Sequence, residues 1–415
     1  MDKQKKLLPI GSYRGKLAKK IKEFHKELML QNKSFCPIAF REIYTDNAGR
    51  HRLCCHAKFD PKFSKFSEEK TLPFDYFMSD EMEDIRQKMI EGEIIEACNT
   101  CRQIEEASGT SYRQKALRSY GITSDVENVA LKVRSYGNYC NLACYMCHPQ
   151  NSTERQKELD LVFPKSNLED WNIFRKNELA TVGKSKKYSD WEKYLEHILE
   201  NIHLIDRFQM MGGETLQLPK FWEFLNAIPD EHANRIHVSS QSNLTEIRYK
   251  NQSIFDLADK FKNFYIGVSV DHFGEKLSFM RYPIDRKKFE SNLYELSESG
   301  NIRFNINCTV SLLNIAEIHD IESYYENNFK LRYSVDFNNV VRGPRYLSIR
   351  NLPQTMKNEY IEKYKEYPYI LAELKKPVYH SIDKFMTYCD KLSLHRSFDW
   401  RPLWKDFIDE LQKES

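Results

Sequence analysis

The sequence predicts an α/β protein: a partial barrel of six βα units, preceded by a small cysteine-rich α+β module and followed by a helical tail. Three observations carry this. From about residue 128, short apolar runs alternate with helix-length stretches, the pattern of parallel strands joined by helices. Eight of the ten cysteines fall before residue 150, in close groups. Residues 346–415 are mostly helical in pattern, with Pro353 and Pro377 as breaks.

The elements follow in chain order. Residues 12–30 read as a basic amphipathic helix, with Leu17, Ile21, Phe24 and Leu28 on one face, which docks onto the protein body or, in the alternative, meets an acidic partner or lipid. Residues 36–55 read as a β-hairpin, with strands Ile38–Tyr44 and Arg50–Cys54 joined through Asp46-Asn47-Ala48-Gly49. A helix spans Ser79 to Glu91 and stops at Gly92. Six strands are then expected at Ala130–Arg134, Asp206–Met211, Ile236–Ser240, Tyr265–Val270, Phe304–Val310 and Leu331–Phe337. Six such units make a partial barrel, whose chemistry sits at the C-terminal strand ends. The domains are therefore expected at residues 1–33 (helical segment), 34–125 (cysteine-rich module), 126–345 (barrel) and 346–415 (helical extension).

Composition narrows the function. Among 415 residues, 63 basic side chains face 60 acidic ones, a net charge of +3. This balance gives no indication of nucleic acid, and the basic run Lys184 to Lys187 reads as solvated loop. No apolar run reaches the roughly 18 residues of a membrane span, and the basic start lacks the apolar core of a secretory signal. A cytoplasmic location is the expectation. In a reducing compartment, grouped thiols point to metal rather than to disulfides.

The sharpest group is Cys140-x3-Cys144-x2-Cys147, just after the first barrel strand. Three thiolates at this spacing can wrap a corner of a [4Fe-4S] cluster and leave one iron open. The competing reading is zinc, with His148 as a fourth ligand. Downstream, Met211-Gly212-Gly213-Glu214 ends the second strand. Its glycines let backbone approach a ligand, and its carboxylate can bind an ammonium.

Cys140, Cys144 and Cys147 give the chain its resemblance to the radical S-adenosylmethionine (SAM) superfamily, whose signature is this loop after strand one of a TIM-like partial barrel. The resemblance implies a [4Fe-4S] cluster on these cysteines, SAM on its open iron, and reductive cleavage of SAM to a 5′-deoxyadenosyl radical. It implies that Met146 lies near the adenine, where an aromatic is more usual. Gly212, Gly213 and Glu214 resemble the family's Gly-Gly-Glu motif, which holds the SAM amino group, although Thr215 stands where proline is usual. The segment Gln241 to Thr245, with Ser242 and Asn243, resembles the family's ribose-facing segment. Ser269-Val270-Asp271 resembles its Ser-Val-Asp element, and Arg281 stands where many members turn an arginine toward the SAM carboxylate.

A second group precedes the barrel. Cys36 and Cys54 stand at the open ends of the hairpin, and Cys98-x2-Cys101 supplies another pair. Four thiolates can ligate an auxiliary [4Fe-4S] cluster or a zinc ion. Cys54 is preferred to Cys55 for its distance from Gly49, since adjacent strand residues face opposite ways. This hairpin resembles the SPASM and twitch auxiliary modules. Its place before the barrel, with Glu105 to Arg113 and Pro344 to Ile349, resembles twitch domain-containing radical SAM proteins. Cys308, Cys389, Trp400 and Trp404 read as packing residues.

The resemblance implies an electron donor such as flavodoxin or ferredoxin and a peptide or protein substrate. A nucleotide, RNA or cofactor-precursor substrate is the second reading, although the end Lys413-Glu414-Ser415 lacks the Gly-Gly tail of molybdenum-cofactor cyclases. A non-catalytic, zinc-stabilised binding scaffold is the third. No residue is singled out as the acid or base that quenches a substrate radical.

Overall fold

The computed structural model describes residues 32–46, 48–58, 60, 65–67, 70–106, 110–121, 126, 128–134, 137–176, 190–379 and 382–413. The helix expected over 12–30 and the run Lys184–Lys187 lie outside these. The chain divides into two compact units, residues 1–46 with 50–131, and residues 132–415 with 47–49. No helix among the described residues is long and apolar enough to cross a membrane.

In the first unit, the hairpin is shorter than its sequence pattern. Strands β1 (Glu42–Thr45) and β2 (His51–Arg52) pair antiparallel, Tyr44 with Arg52 and Thr45 with His51. Ile38–Arg41, expected as strand, is a helical turn. The reason is Pro37: its φ of −64° and ψ of −16° start the chain in helical conformation. The helix Asp80–Glu91 forms where expected. Ser79 Oγ accepts from Met82 N, and Gly92 closes the helix at a φ of +82°. Its apolar residues Met82, Ile85 and Met89 bury against Phe35, Ile38 and Phe40. The helix Pro73–Phe77 precedes it, and the helices Asn99–Glu106 and Tyr112–Tyr120 follow, the last begun by a Ser111/Gln114 capping box.

The second unit is a mostly parallel sheet with helices. Strand β3 (Val129–Val133) runs into it from the first unit's residues. Then come β4 (Ile205–Met210), β5 (His237–Ser242), β6 (Asn263–Val270), β7 (Ile302–Val310) and β8 (Asp336–Val340). The pairs β4–β5, β5–β6, β6–β7 and β7–β8 are all parallel. Met211 N–H donates to Val133 O at 2.9 Å, which sets the end of β3 beside β4. Each strand thus lies next to its predecessor, as right-handed βα units require.

Burial alternates along these strands. In β7, Ile302, Phe304, Ile306, Cys308 and Val310 are buried, while the residues between them are partly or fully exposed. Helices cover the buried face: Phe224 of Pro219–Ala227 meets Phe208 at 4.3 Å between ring centroids. The last strand begins later than its pattern. Leu331, Tyr333 and Val335 alternate like strand residues, but Tyr333 is 57% exposed and pairing starts only at Asp336 with Asn307. The helices Gln354–Lys363, Pro368–Leu374, Ile382–Arg396 and Lys405–Lys413 follow. Pro353 stands at the first one's N-cap and Pro377 lies past the second.

Candidate active site

Residues 137–148 leave β3 as an irregular loop and enter the helix Thr153–Val162. An irregular, largely buried loop must find partners for its backbone groups elsewhere. Here buried side chains supply them. Ser152 Oγ donates to Leu142 O at 2.7 Å, Arg396 Nη2 to Ala143 O at 2.7 Å, and Arg155 Nη2 and Tyr388 OH to Tyr145 O at 2.5 and 2.8 Å. From the other side, Ala143 N donates to Tyr282 O at 2.6 Å and Tyr145 N to Met280 O at 2.8 Å. Glu158 joins both arginines and is buried with them: Arg396 Nε reaches it at 2.7 Å, and Arg155 bonds it as well. Both attractions outweigh burial and hold its carboxyl below the usual range.

This loop carries Cys140, Cys144 and Cys147. Cys147 N closes a turn onto Cys144 O at 2.9 Å. Burial, then neighbouring thiols, push up the thiols of Cys140 and Cys147, the latter to about 12. Burial also raises that of Cys144, against the pull of Arg281 and Arg396. Without a metal these groups stay protonated, so metal binding here releases protons. Two side chains point N–H groups at the sulfurs: Asn243 Nδ2 is 3.8 Å from Cys140 Sγ, and Arg281 Nη1 is 3.8 Å from Cys144 Sγ.

Three strand ends meet the loop. Gly212 and Gly213, with φ of +108° and +59°, carry the chain out of β4. A Cβ on Gly213 would overlap Tyr139 O, and one on Gly212 would come within 3.2 Å of Arg134 O. Glycine is needed here because backbone packs on backbone, and Glu214 N then donates to Tyr139 O at 2.7 Å. The Glu214 side chain turns inward. It accepts from Ser242 Oγ and Asn243 N, both at 2.6 Å, and from Leu216 N at 3.2 Å. Burial raises its carboxyl pKa against these bonds. A carboxylate offers about four acceptor positions, so one remains for a ligand ammonium.

At the end of β5, Asn243 Nδ2 donates to Asn141 Oδ1 at 3.0 Å, and Thr245 N donates to Asn243 Oδ1 at 3.0 Å. After β6, buried Asp271 stands 2.8 Å from Arg281 Nε. Burial raises the Asp271 carboxyl, and Arg281 opposes this. The two form a buried ion pair, while Thr215 Oγ1 is buried without a hydrogen-bond partner among the described residues. Ser269 and Met146 are half-buried.

A tetrahedral zinc draws its thiolate sulfurs to about 3.8 Å of one another. A cubic cluster gives each thiolate its own iron and spreads them wider. Among the described residues, no three His, Cys, Asp or Glu side chains are gathered to hold one ion. His148, the fourth ligand of the zinc reading, uses Nδ1 to accept from Gln150 N at 3.1 Å. Three thiols on one loop, with the Glu214 carboxylate and the Arg281 guanidinium beside them, fit a cluster and a chelating ligand.

Residues 135–324 match the model of the Radical SAM superfamily. They form a radical SAM domain. This is the domain of an enzyme superfamily that works with a [4Fe-4S] cluster and SAM. No curated protein matches the chain. Among solved structures, native anSMEcpe with bound AdoMet is 18% identical over 57% of this chain and 60% of its own, at a TM-score of 0.36. SuiB of Streptococcus suis bound to S-adenosylmethionine is 19% identical over 69% and 58%, at 0.36. TYW1 with a lysine-pyruvate adduct bound is 16% identical over 70% and 90%, at 0.34. The chain spans less than two thirds of the length of the first two.

The radical SAM domain was legible from its motifs. The residues that pin its loop were not: Arg155, Glu158, Tyr388 and Arg396 carry no motif. A polar residue such as Arg396 amid the apolar residues of a helix was the one available sign. Cys308 and Cys389 are fully buried, and Trp400 and Trp404 bond Asp390 and Leu313 O, which makes them packing residues.

In the first unit, Cys36, Cys54, Cys98 and Cys101 all line one cavity of about 760 Å³. Cys55 is exposed and does not line it. Burial, then the other three thiols, push Cys36 up, and burial with Cys101 pushes Cys98 up to about 12. Arg113, also in the wall, is fixed by Glu105 at 2.6 Å and Phe35 O at 3.0 Å.

Proposed function

We propose that this protein is a radical SAM enzyme acting on a peptide or protein, with its [4Fe-4S] cluster on Cys140, Cys144 and Cys147. When bound, the cluster and SAM supply one-electron cleavage to a 5′-deoxyadenosyl radical, which removes hydrogen from a substrate carbon. The observation that carries this reading is the bonding of the cysteine loop to Glu214 N and Asn243, which follow two strand ends, and to Arg281, which pairs with Asp271 at the end of a third.

In this reading the chain's own residues do the positioning. Glu214, with one acceptor position left, receives the ammonium of SAM beside Gly212 and Gly213. Ser242 and Asn243 face the ribose, and Met146 the adenine. Arg281, held by Asp271 through Nε, turns the outer end of its guanidinium to the carboxylate, and Ser269 lines the same edge. Arg281 and Asn243 also direct N–H groups at sulfur, which stabilises thiolate over thiol. Cys36, Cys54, Cys98 and Cys101 hold an auxiliary [4Fe-4S] cluster in a twitch-like module over residues 34–125, with zinc as the competing occupant. The barrel takes residues 126–345 and the helical extension 346–415. Flavodoxin or ferredoxin serves as electron donor. The substrate class rests on the resemblance to auxiliary-cluster members of the superfamily.

The test is a pairing of the reconstituted enzyme with peptides encoded beside its gene. Faster formation of 5′-deoxyadenosine, with a mass change in the peptide, supports the reading. Indifference of SAM turnover to every such peptide counts against a peptide substrate.

A further inference from the structure

The segment that follows β8 carries positive charge to the surface of the second unit. Arg342 and Lys376 each pair with Glu373 at 2.9 Å, and Arg350 pairs with the same carboxylate. Arg345 adds a fourth cation. It makes no ion pair among the described residues; its guanidinium stands over the Tyr379 ring at 5.1 Å, beside that of Arg350 at 4.3 Å. The carboxylate is fully buried, whereas Arg342 is 68% exposed and Arg345 is exposed as well. The charge that this group turns to solvent is therefore positive. Like charges held together in this way repel, and an anionic surface relieves them.

Between this patch and the cysteine loop lie packed aromatic rings. Tyr346, next to Arg345, is buried, with its ring 4.7 Å from that of Tyr388. Phe174 closes on both rings, at 5.2 and 5.7 Å, and Phe163 stacks on Tyr388 at 5.7 Å. Tyr388 OH donates to Tyr145 O at 2.8 Å, and Tyr145 adjoins Cys144. The route from patch to cysteines is thus two rings and one hydrogen bond. A substrate cannot pass through packed rings to the strand ends. An electron can cross packed protein, at a rate that falls steeply with distance. A cationic surface walled off from the cysteines by so short a packed route fits an electron donor rather than a substrate.

We propose that Arg342, Arg345 and Lys376 form the docking surface for an acidic one-electron carrier protein of the flavodoxin or ferredoxin kind, seated over Tyr346 and Tyr388. One electron leaves the reduced carrier for the cluster held by Cys140, Cys144 and Cys147, and no bond is made or broken. The proposal rests on the radical SAM reading and gives that reading's electron donor its place on the domain.

The test titrates flavodoxin and ferredoxin, at low salt, onto the full-length reconstituted protein. One carrier or both bind wild type, and bind Cys147→Ala equally well, so docking is read apart from the radical chemistry. The double variant Arg342→Gln/Arg345→Gln binds roughly tenfold more weakly, the scale of two exposed charge pairs. High salt removes the difference, because exposed charges are screened. Arg345→Glu, which breaks no ion pair, weakens binding in the same way. Both variants form 5′-deoxyadenosine more slowly than wild type when the carrier is the reductant, and at the wild-type rate with dithionite, which needs no docking. Binding of neither carrier to wild type, unchanged affinity in both variants, or equal slowing with dithionite overturns the proposal. So does an acidic octapeptide or an RNA 12-mer that binds wild type more tightly than either carrier and is lost in the double variant. Absence of product from wild type with dithionite strikes the radical SAM reading instead, and the binding titrations still decide the docking surface.

Discussion

Arg396→Met isolates the contribution of the helix Ile382–Arg396 to the cysteine loop. The guanidinium is fully buried and bonds Glu158 at 2.7 and 2.9 Å, Ala143 O at 2.7 Å, and Phe279 O. Its removal leaves two buried carbonyls short of a donor and Glu158 with Arg155 alone. Breaking a buried ion pair by removing one partner costs about 3–5 kcal/mol. Because Arg155 stays, the lower end applies, and about 3 kcal/mol lowers the melting temperature of a unit this size by about 6–12 °C. Ala143 lies between two cysteines, so the loss also loosens the metal-binding loop. The assays are thermal melting of the apoprotein and iron and sulfide content after anaerobic reconstitution. Arg396→Met should melt lower and retain less than half the iron. Leu394→Ala, on the same helix and 84% exposed, should match wild type. Arg396→Met with wild-type melting and iron would refute the reasoning.

Other predictions follow from single positions. Gly213→Ala should destabilise more than Gly267→Ala, because the first Cβ meets backbone at a positive φ and the second meets movable side-chain ends; paired thermal melts check the order. Cys54→Ser should lower the metal content of a Cys147→Ala background, and Cys55→Ser should leave it unchanged, since only Cys54 lines the cavity. Glu373 is enclosed by Arg350, Arg342 and Lys376; burial raises its carboxyl pKa, but Arg350 and Lys376 bring it below the usual range. Its contribution to stability is therefore full above the ordinary glutamate range and is lost as pH falls through the depressed value. Glu373→Gln should destabilise at pH 7 and lose that effect in strong acid, as measured by denaturant melts at both.

Local patterns carried most of what was legible. The helix Asp80–Glu91 has a cap, a periodic apolar face and a terminating glycine, and it formed as read. The parallel strands were marked by apolar runs, and their polar ends marked the site. Two elements misled. Ile38–Arg41 has strand-like letters, but Pro37 sets the backbone; Leu331–Val335 alternates, but Tyr333 is exposed and pairing starts only at Asp336. The Arg396–Glu158 pair is 238 residues apart in sequence, and no local spacing can encode it. The same holds for Tyr265, Asn305, Asn307 and Gln241, which three parallel strands bring into one hydrogen-bonded row.

The central claim is radical cleavage of SAM at Cys140, Cys144 and Cys147. The most direct test is 5′-deoxyadenosine formation by the anaerobically reconstituted protein with dithionite and SAM, beside Cys147→Ala. Product from wild type and none from the variant is the predicted result. Wild type with a verified cluster and no product, alone or with any peptide supplied, would contradict it.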